Sequence, residues 1–138
     1  MILKLELNIR PVPHQSVRFT RSGRTFKPKK ITDYQSYVQR LVQEQLPEEF
    51  TMIPAGVPIF VRQLSYQYEW PSSISRKKRV GKVYKVTKPD LQDNLNKAFL
   101  DALEGLIYEQ DQNIVSIEKL EKHYGEKDKI ILILEYDA

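Results

Sequence analysis

The sequence predicts an α+β fold: one domain spanning residues 1–138, in which two helices cover a mixed β-sheet. Three patterns carry this. Apolar residues alternate with polar ones near the N-terminus and again mid-chain, the period of a half-buried strand. Two other stretches repeat their apolar residues at three and four, the period of a helix packed on one face. Read along the chain, the elements follow the order β-α-β-loop-α-β-β, with no internal repeat or low-complexity tract.

Leu3, Leu5, Leu7 and Ile9 alternate with Lys4, Glu6 and Asn8, a strand that stops at Pro11 and Pro13. A basic loop follows, with Phe19 and Phe26 among its arginines, placed either to stack on bases or to anchor the loop. Thr32-Asp-Tyr-Gln35 fits a capping box, and Tyr34, Tyr37, Val38, Leu41, Val42 and Leu46 carry the first helix to Pro47. Residues 57–70 read as a long strand. Leu64, Tyr66, Tyr68 and Trp70 alternate cleanly, while Ile59 and Val61 are out of phase, which predicts a bulge near Arg62; Pro58 places the start at an edge or bulge. Pro71 to Lys88 reads as a mobile basic loop, with Val80, Val83, Tyr84 and Val86 offering a short ribbon as the alternative. From Leu91, the residues Leu95, Ala98, Phe99, Ala102, Leu103 and Leu106 recur at helical spacing, one amphipathic helix ended by Gly105. Asn113–Tyr124 and Lys129–Tyr136 read as strands joined by a turn at Gly125-Glu-Lys-Asp128. The unbroken apolar run Ile130–Leu134 predicts a central strand covered on both faces.

Composition excludes several classes. There is no cysteine, so a disulfide framework and a thiolate metal site are both ruled out. No apolar run approaches a membrane span or a signal-peptide core, so the expectation is a cytoplasmic protein with no membrane partner. His14 and His123 are far apart and make a poor zinc pair, and the serines lack a nucleophile context. Net charge is only +4, yet residues 7–32 and 70–89 contain no acidic residue and hold 14 of the 22 Lys and Arg. The first segment carries Arg18, Arg21, Arg24, Lys27, Lys29 and Lys30; the second carries Arg76, Lys77, Lys78, Arg79, Lys82, Lys85 and Lys88. Such segregation points to a polyanion partner gripped by its backbone, because phosphate contacts by Lys and Arg release condensed counterions.

Between the second basic segment and the C-terminal strands lies Lys88-Pro-Asp-Leu-Gln-Asp-Asn-Leu-Asn-Lys97, followed by Asp111. Magnesium takes hard oxygen ligands in octahedral geometry and keeps several waters, so a few carboxylates without Cys or His suit it. Asp90, Asp93 and Asp111 are the candidate ligands. Asp93 and Lys97 stand at i and i+4 on one helix face, with Asp90 one turn earlier, where the helix dipole favours an anion. Asn94 follows Asp93 directly. The bland alternative makes Asp90 an N-cap, Asp93 and Lys97 a surface ion pair and Asn94 a polar filler.

The chain resembles the RusA family of Holliday junction resolvases over nearly its whole length. Pro11-Val-Pro, Arg18-Phe19, Pro28-Lys-Lys30 and Tyr34 are similar to the family's N-terminal pattern. More specific are Lys88-Pro-Asp-Leu91, Asp93-Asn-Leu95, Lys97-Ala98, Asp101-Ala-Leu103, Gly105, Tyr108, Asp111 and Lys122-x-Tyr-Gly125, in family order. The resemblance implies a homodimer acting on four-way DNA junctions in recombination, repair or phage DNA processing, in a bacterial or phage-infected cell. It implies one Mg2+-dependent site per subunit, with Mn2+ as a substitute and no organic cofactor, and paired symmetric nicks. Carried over by motif, Asp90, Asp93 and Asp111 are the catalytic, metal-holding aspartates and Lys97 the active-site lysine; Asn94, next to Asp93, is expected to orient them from behind. Two positions depart from the pattern. Gln92 is inserted, so Asp90 stands three residues from Asp93 rather than two, and Gln110 replaces the first of an Asp-Asp pair.

Three rivals remain. One is a non-catalytic nucleic-acid-binding module that uses only the basic loops. Another is a structural protein assembling by charge complementarity. The third is an endonuclease that prefers flaps or forks. Metal-dependent cutting separates the first two from the nuclease readings.

Overall fold

Strand β4 (Ile59–Glu69) is the hub of the sheet. The computed structural model describes residues 1–14, 18–19, 23, 25–26 and 28–137, with 18, 19, 25 and 26 as backbone only. On one side β4 pairs antiparallel with β7 (Lys129–Tyr136), and β1 (Ile2–Leu7) pairs antiparallel with β7 beyond it. On the other side β4 pairs parallel with both β5 (Ile114–Ile117) and β6 (Leu120–Gly125), which completes a mixed sheet of five strands. A separate two-stranded ribbon, β2 (Arg18–Phe19) with β3 (Thr25–Phe26), stands in the first basic segment where the sequence predicted only loop.

The helices α1 (Lys29–Gln45) and α2 (Asn96–Leu103) cover one face of the sheet, so the α+β class is correct. Leu3, Leu5 and Leu7 of β1, Leu64 and Tyr66 of β4, and Ile130, Leu132 and Leu134 of β7 meet Val38 and Val42 of α1 and Phe99 and Leu103 of α2 in one core. Glutamines clasp the helices together: Gln35 Nε2 donates to Ala98 O at 2.9 Å and Gln39 Nε2 to Ala102 O at 3.0 Å. The second satisfies a carbonyl in the last turn of α2.

Several expectations change. The capping box at Thr32 does not form. Helix α1 starts one turn earlier, behind Pro28, because buried Ile31 extends the apolar stripe backward, and the Thr32 hydroxyl donates to Lys29 O at 2.9 Å. The stretch Asn113–Tyr124 is two strands rather than one. A register shift against β7 between Val61 and Gln63 bears out the bulge predicted at Arg62, and on the opposite edge of β4 the chain passes from β5 to β6 alongside it. Glu118 N therefore donates to Val61 O at 2.9 Å, and Leu64 N to Lys119 O at 2.8 Å. Arg62 leaves the bulge to bind Glu118 and, at 2.5 Å, Glu135.

β6 and β7 do not form a hairpin, since β4 lies between them. The connection 126–128 wraps the end of β4: Trp70 N donates to Gly125 O at 3.0 Å, Glu69 N to Asp128 Oδ1 at 2.8 Å and Gln67 Nε2 to Lys127 O at 2.8 Å. The end of the Gln67 side chain lies over Gly125, where a Cβ would stand 2.3 Å from Gln67 Cδ and would turn that side chain away from Lys127 O. β7 is central, as expected, but Ile131 and Ile133 are only half-buried, so its second face is not fully covered.

The second basic segment is tied down rather than loose. Lys85 N donates to Lys122 O at 3.1 Å and Tyr124 N to Val83 O at 2.9 Å, making a single antiparallel bridge at Tyr84 on the free edge of β6. The short ribbon is thus reduced to one rung.

Candidate active site

Asp90 to Leu95 does not start as an α-helix. Residues Leu91–Leu95 form one π turn, in which Leu95 N donates to Asp90 O at 3.1 Å across five residues, before α2 begins at Asn96. A π turn holds one residue more than an α turn. The Asp90 carboxylate caps this turn by accepting from Gln92 N at 3.1 Å.

From the π turn into α2, Asp93, Asn96, Lys97, Leu100 and Asp101 fall at i, i+3, i+4, i+7 and i+8 and share one face. These side chains, with Gln92, line one wall of a cleft of about 600 Å³; Asp111, Gln112 and Ile114 line the other. Asp111 arrives there because Gly105, at φ +82°, turns the chain back after α2, with Gly105 N donating to Tyr108 O at 2.7 Å. Ile53 N donates to Ile107 O at 2.8 Å and Glu109 N to Ile53 O at 2.9 Å, fixing the returning segment. A capping box between Gln110 and Asn113 then holds Asp111 at the start of a short 3₁₀ turn. Buried Asn113 anchors that turn by donating to Pro54 O and Val57 O, each at 2.8 Å. Gln110 is thus a capping residue in this chain.

Oxygen atoms of Asp101, Glu104 and Asp111 lie within 4.8 Å of one another. The Tyr108 hydroxyl, donating to Leu100 O at 2.6 Å, is pushed well above its ordinary pKa by burial and then by the negative charges of Asp111, Glu104 and Asp101. Clustered carboxylates with no soft ligand are the donor set a hard divalent cation takes, so the residues present fit a magnesium-type ion. Lys97 is exposed on the cleft and makes no ion pair with the described residues, so the surface pair with Asp93 is not formed.

The site residues expected from sequence thus divide. Asp93, Lys97 and Asp111 come together in the cleft. Asp90 does not line it: its carboxylate caps the π turn and lies near Lys122, whose Nζ donates to Thr87 O at 2.6 Å and Pro89 O at 2.5 Å. Burial and the Lys85 charge lower the Lys122 pKa, and Asp90 partly offsets this. Asn94 also lies outside the cleft lining, and its carbonyl accepts from His14 N at 2.8 Å. Asp101, Glu104 and Asn96 were missed. Asp101 and Asn96 were legible from their helical spacing to Asp93 and Lys97, whereas nothing local marks Glu104.

Basic side chains also divide. Arg76, Lys77, Lys78 and Lys88 are exposed and without polar partners among the described residues, as are Lys29 and Lys30 at the start of α1. Arg79 is spent on the loop itself, donating to Ile74 O at 3.0 Å and Pro71 O at 3.3 Å. Lys82 binds Glu121 at 2.7 Å, and Lys85 lies 5.0 Å over the Tyr68 ring. Arg21, Arg24, Lys27 and the side chains of Arg18, Phe19 and Phe26 lie outside the described residues. Val80, Tyr84 and Val86 are exposed among the basic residues, Val86 to 92%.

A carboxylate cleft with an unpaired lysine, in a chain that also carries exposed basic side chains without polar partners among the described residues, defines a protein equipped to handle phosphodiesters of a nucleic acid. The chain matches the family model described as Endodeoxyribonuclease RusA over residues 8–135. It belongs to that family, and so to the endodeoxyribonucleases of the Holliday junction resolvase type, metal-dependent hydrolases that act on branched DNA. It is also 30% identical over 118 residues to an uncharacterized protein, YqaN, of Bacillus subtilis (strain 168), across 80% of this chain and 78% of that one. No helix among the described residues is long and apolar enough to cross a membrane.

Proposed function

We propose that this protein resolves four-way DNA junctions by paired, symmetric, Mg2+-dependent hydrolysis of phosphodiester bonds, acting as a homodimer. The observation that carries the reading is the convergence of Asp93, Asp101 and Asp111 with unpaired Lys97 on one cleft. Asp93 and Asp111 would hold the metal, with Asp101 and Glu104 beside Asp111 and Asp90 at the edge through the π turn. Bound Mg2+, or Mn2+ in its place, supplies Lewis-acid activation of water and stabilisation of the leaving 3′ oxygen. Lys97 orients the scissile phosphate and offsets the charge that builds on it. Asn94 acts from behind by fixing the π turn against the segment at His14. Arg76, Lys77, Lys78, Lys88, Lys29 and Lys30 grip the arms by phosphate contacts, and Arg18, Arg21, Arg24 and Lys27, which lie in the first basic segment of the sequence, add to that grip. A two-fold dimer suits a junction of approximate two-fold symmetry, since two identical sites then address equivalent strands.

The test uses a labelled four-way junction and a matched duplex, with magnesium and with chelator, for the wild type and Asp93→Asn. Symmetric nicks confined to the junction, present with magnesium and absent in Asp93→Asn with binding retained, are expected. Binding without cutting in every metal condition would overturn the reading in favour of a binding module. Cutting of flaps or forks in preference to junctions would reassign the substrate.

A further inference from the structure

Asn96 is a buried amide that faces the cleft. It is only 9% exposed, stands at the first residue of α2, and lines the same wall as Asp93, Lys97 and Asp101. Its side chain is held from behind by Tyr66 of β4, whose hydroxyl donates to Asn96 Oδ1 at 2.9 Å. Tyr66 is fully buried, and its O–H has no other acceptor among the described residues. If the amide were reversed, that hydroxyl would have to accept from Nδ2 and bury its own proton unpaired, which is the costly arrangement. The tyrosine therefore fixes the amide with Oδ1 inward. Tyr66 is itself locked edge-to-face on Phe99 of α2, with centroids 6.0 Å apart. The consequence falls on Nδ2: it has no protein acceptor among the described residues, and it belongs to a residue on the cleft wall.

A preoriented N–H donor beside carboxylates and a lysine is suited to an anionic oxygen. We infer that Asn96 Nδ2 donates to one non-bridging oxygen of the scissile phosphodiester, with Tyr66 as the positioning residue that keeps the donor turned outward. This rests on the nuclease reading above and adds a substrate contact to it. Asn96 thereby takes the amide's part in the site from Asn94, which lies off the cleft lining. The contact is directional and addresses one oxygen. A metal held at one non-bridging oxygen is stereospecific too, and the manganese arm of the test separates its thio effect from that of the Asn96 donor, which manganese does not relieve.

Sulfur substitution tests that directionality. Junctions carrying a single Rp or Sp phosphorothioate at the mapped cut site are incubated with wild type, Asn96→Leu, Asn96→Asp and Tyr66→Phe, in magnesium and in manganese, and Tm is recorded for each protein. Loss of a hydrogen bond to a charged oxygen lowers kcat/KM by roughly 10- to 100-fold, so Asn96→Leu and Asn96→Asp should both show this on the all-oxygen junction. The penalty should shrink on one phosphorothioate diastereomer, where sulfur already denies the wild type its hydrogen bond, and persist on the other. Tyr66→Phe should lose less and keep the same stereochemical preference. Equal penalties on both diastereomers, tracking a fall in Tm, would overturn the assignment and make the pair structural. Cutting at the wild-type rate by Asn96→Leu would also overturn it while leaving the nuclease reading intact. A wild type that cuts no branched substrate would overturn both.

Discussion

Replacing Lys82 by Met should loosen the second basic segment from the sheet. The Glu121 carboxylate is 7% exposed on β6 and is held by Lys82 Nζ at 2.7 Å and by the Ser65 hydroxyl at 2.9 Å. Lys119 and His123 stand farther off, at 3.9 and 3.8 Å. Truncating one partner of a fully buried ion pair costs roughly 3–5 kcal/mol. The Lys82 side chain is 39% exposed, so water takes over part of its role, and Ser65 continues to satisfy the carboxylate. A loss of about 1.5–2 kcal/mol is the discounted figure, near the lower range for hydrogen bonds to charged groups. For a chain of this size that is roughly 5–7 °C in Tm.

The pH dependence gives a second handle on the same pair. Burial pushes the Glu121 carboxyl up, but the hydrogen bonds from Lys82 and Ser65 and the charges of Lys82 and Lys119 outweigh it, so Glu121 titrates below its ordinary value of 4.5. A carboxyl lowered in the folded state contributes stability above its unfolded pKa and loses it as pH falls through the folded one. Lys82 is raised above its ordinary 10.5, chiefly by its hydrogen bond to Glu121, so its share persists to alkaline pH and is lost only above that value. The wild-type advantage over Lys82→Met should therefore hold steady from about pH 6 to 9 and shrink as the solution is taken below about pH 4.5. Urea melts of wild type, Lys82→Met, Glu121→Gln and the double variant across that range supply both the advantage and the coupling energy. A coupling below about 0.5 kcal/mol, or an advantage unchanged down to about pH 3, would refute the reasoning.

Phe99→Ala empties a fully buried site and removes the edge-to-face contact with Tyr66, so a loss of about 3–5 kcal/mol in urea melts is expected. Lys122→Met frees the carbonyls of Thr87 and Pro89 and unties the lead-in to Asp90, so junction cutting should fall several-fold with Tm nearly unchanged; amide exchange at residues 87–92 should speed up. Replacing Lys77 and Lys78 together by Gln should weaken junction binding without altering cut position, and flatten the plot of log affinity against log salt by roughly one unit for each phosphate no longer neutralised.

The strand periodicities were legible because one face of the sheet is buried and the other is not. Leu3, Leu5 and Leu7 could face only one way, and so could Leu64, Tyr66 and Tyr68. The bulge at Arg62 was legible for the same reason, since one extra residue in a strand shifts its alternation by a single position. Pairing partners were not. Gly125-Glu-Lys-Asp128 has the length of a hairpin turn, yet β6 is drawn to the parallel edge of β4 by residues distant in sequence, such as Leu64 with Leu120. Local turn chemistry does not encode such a choice. The loop Pro71–Lys88 was misjudged because its composition is that of a solvated segment, whereas Arg79, Lys82 and Lys85 use their charges on partners from the loop's own turn and from β4 and β6.

The candidate site shows the same division at closer range. Asp93, Lys97 and Asp111 were legible as residue types, and helical spacing brings the first two together without any tertiary information. That arithmetic assumes about 3.6 residues per turn, and it holds within α2, from Asn96 onward. Upstream, the π turn Leu91–Leu95 takes one residue more per turn, so the phase counted back to Asp90 is wrong by roughly a quarter of a turn. Carried forward through α2, the same count brings Asn96 and Leu100 to the face of Lys97 and Asp101. The cleft lining follows this count: it includes Asn96, Leu100 and Asp101 and leaves out Asp90 and Asn94. Asp90 thus becomes a cap on the π turn, while the groups from Asp93 to Asp101 take their place on the cleft wall.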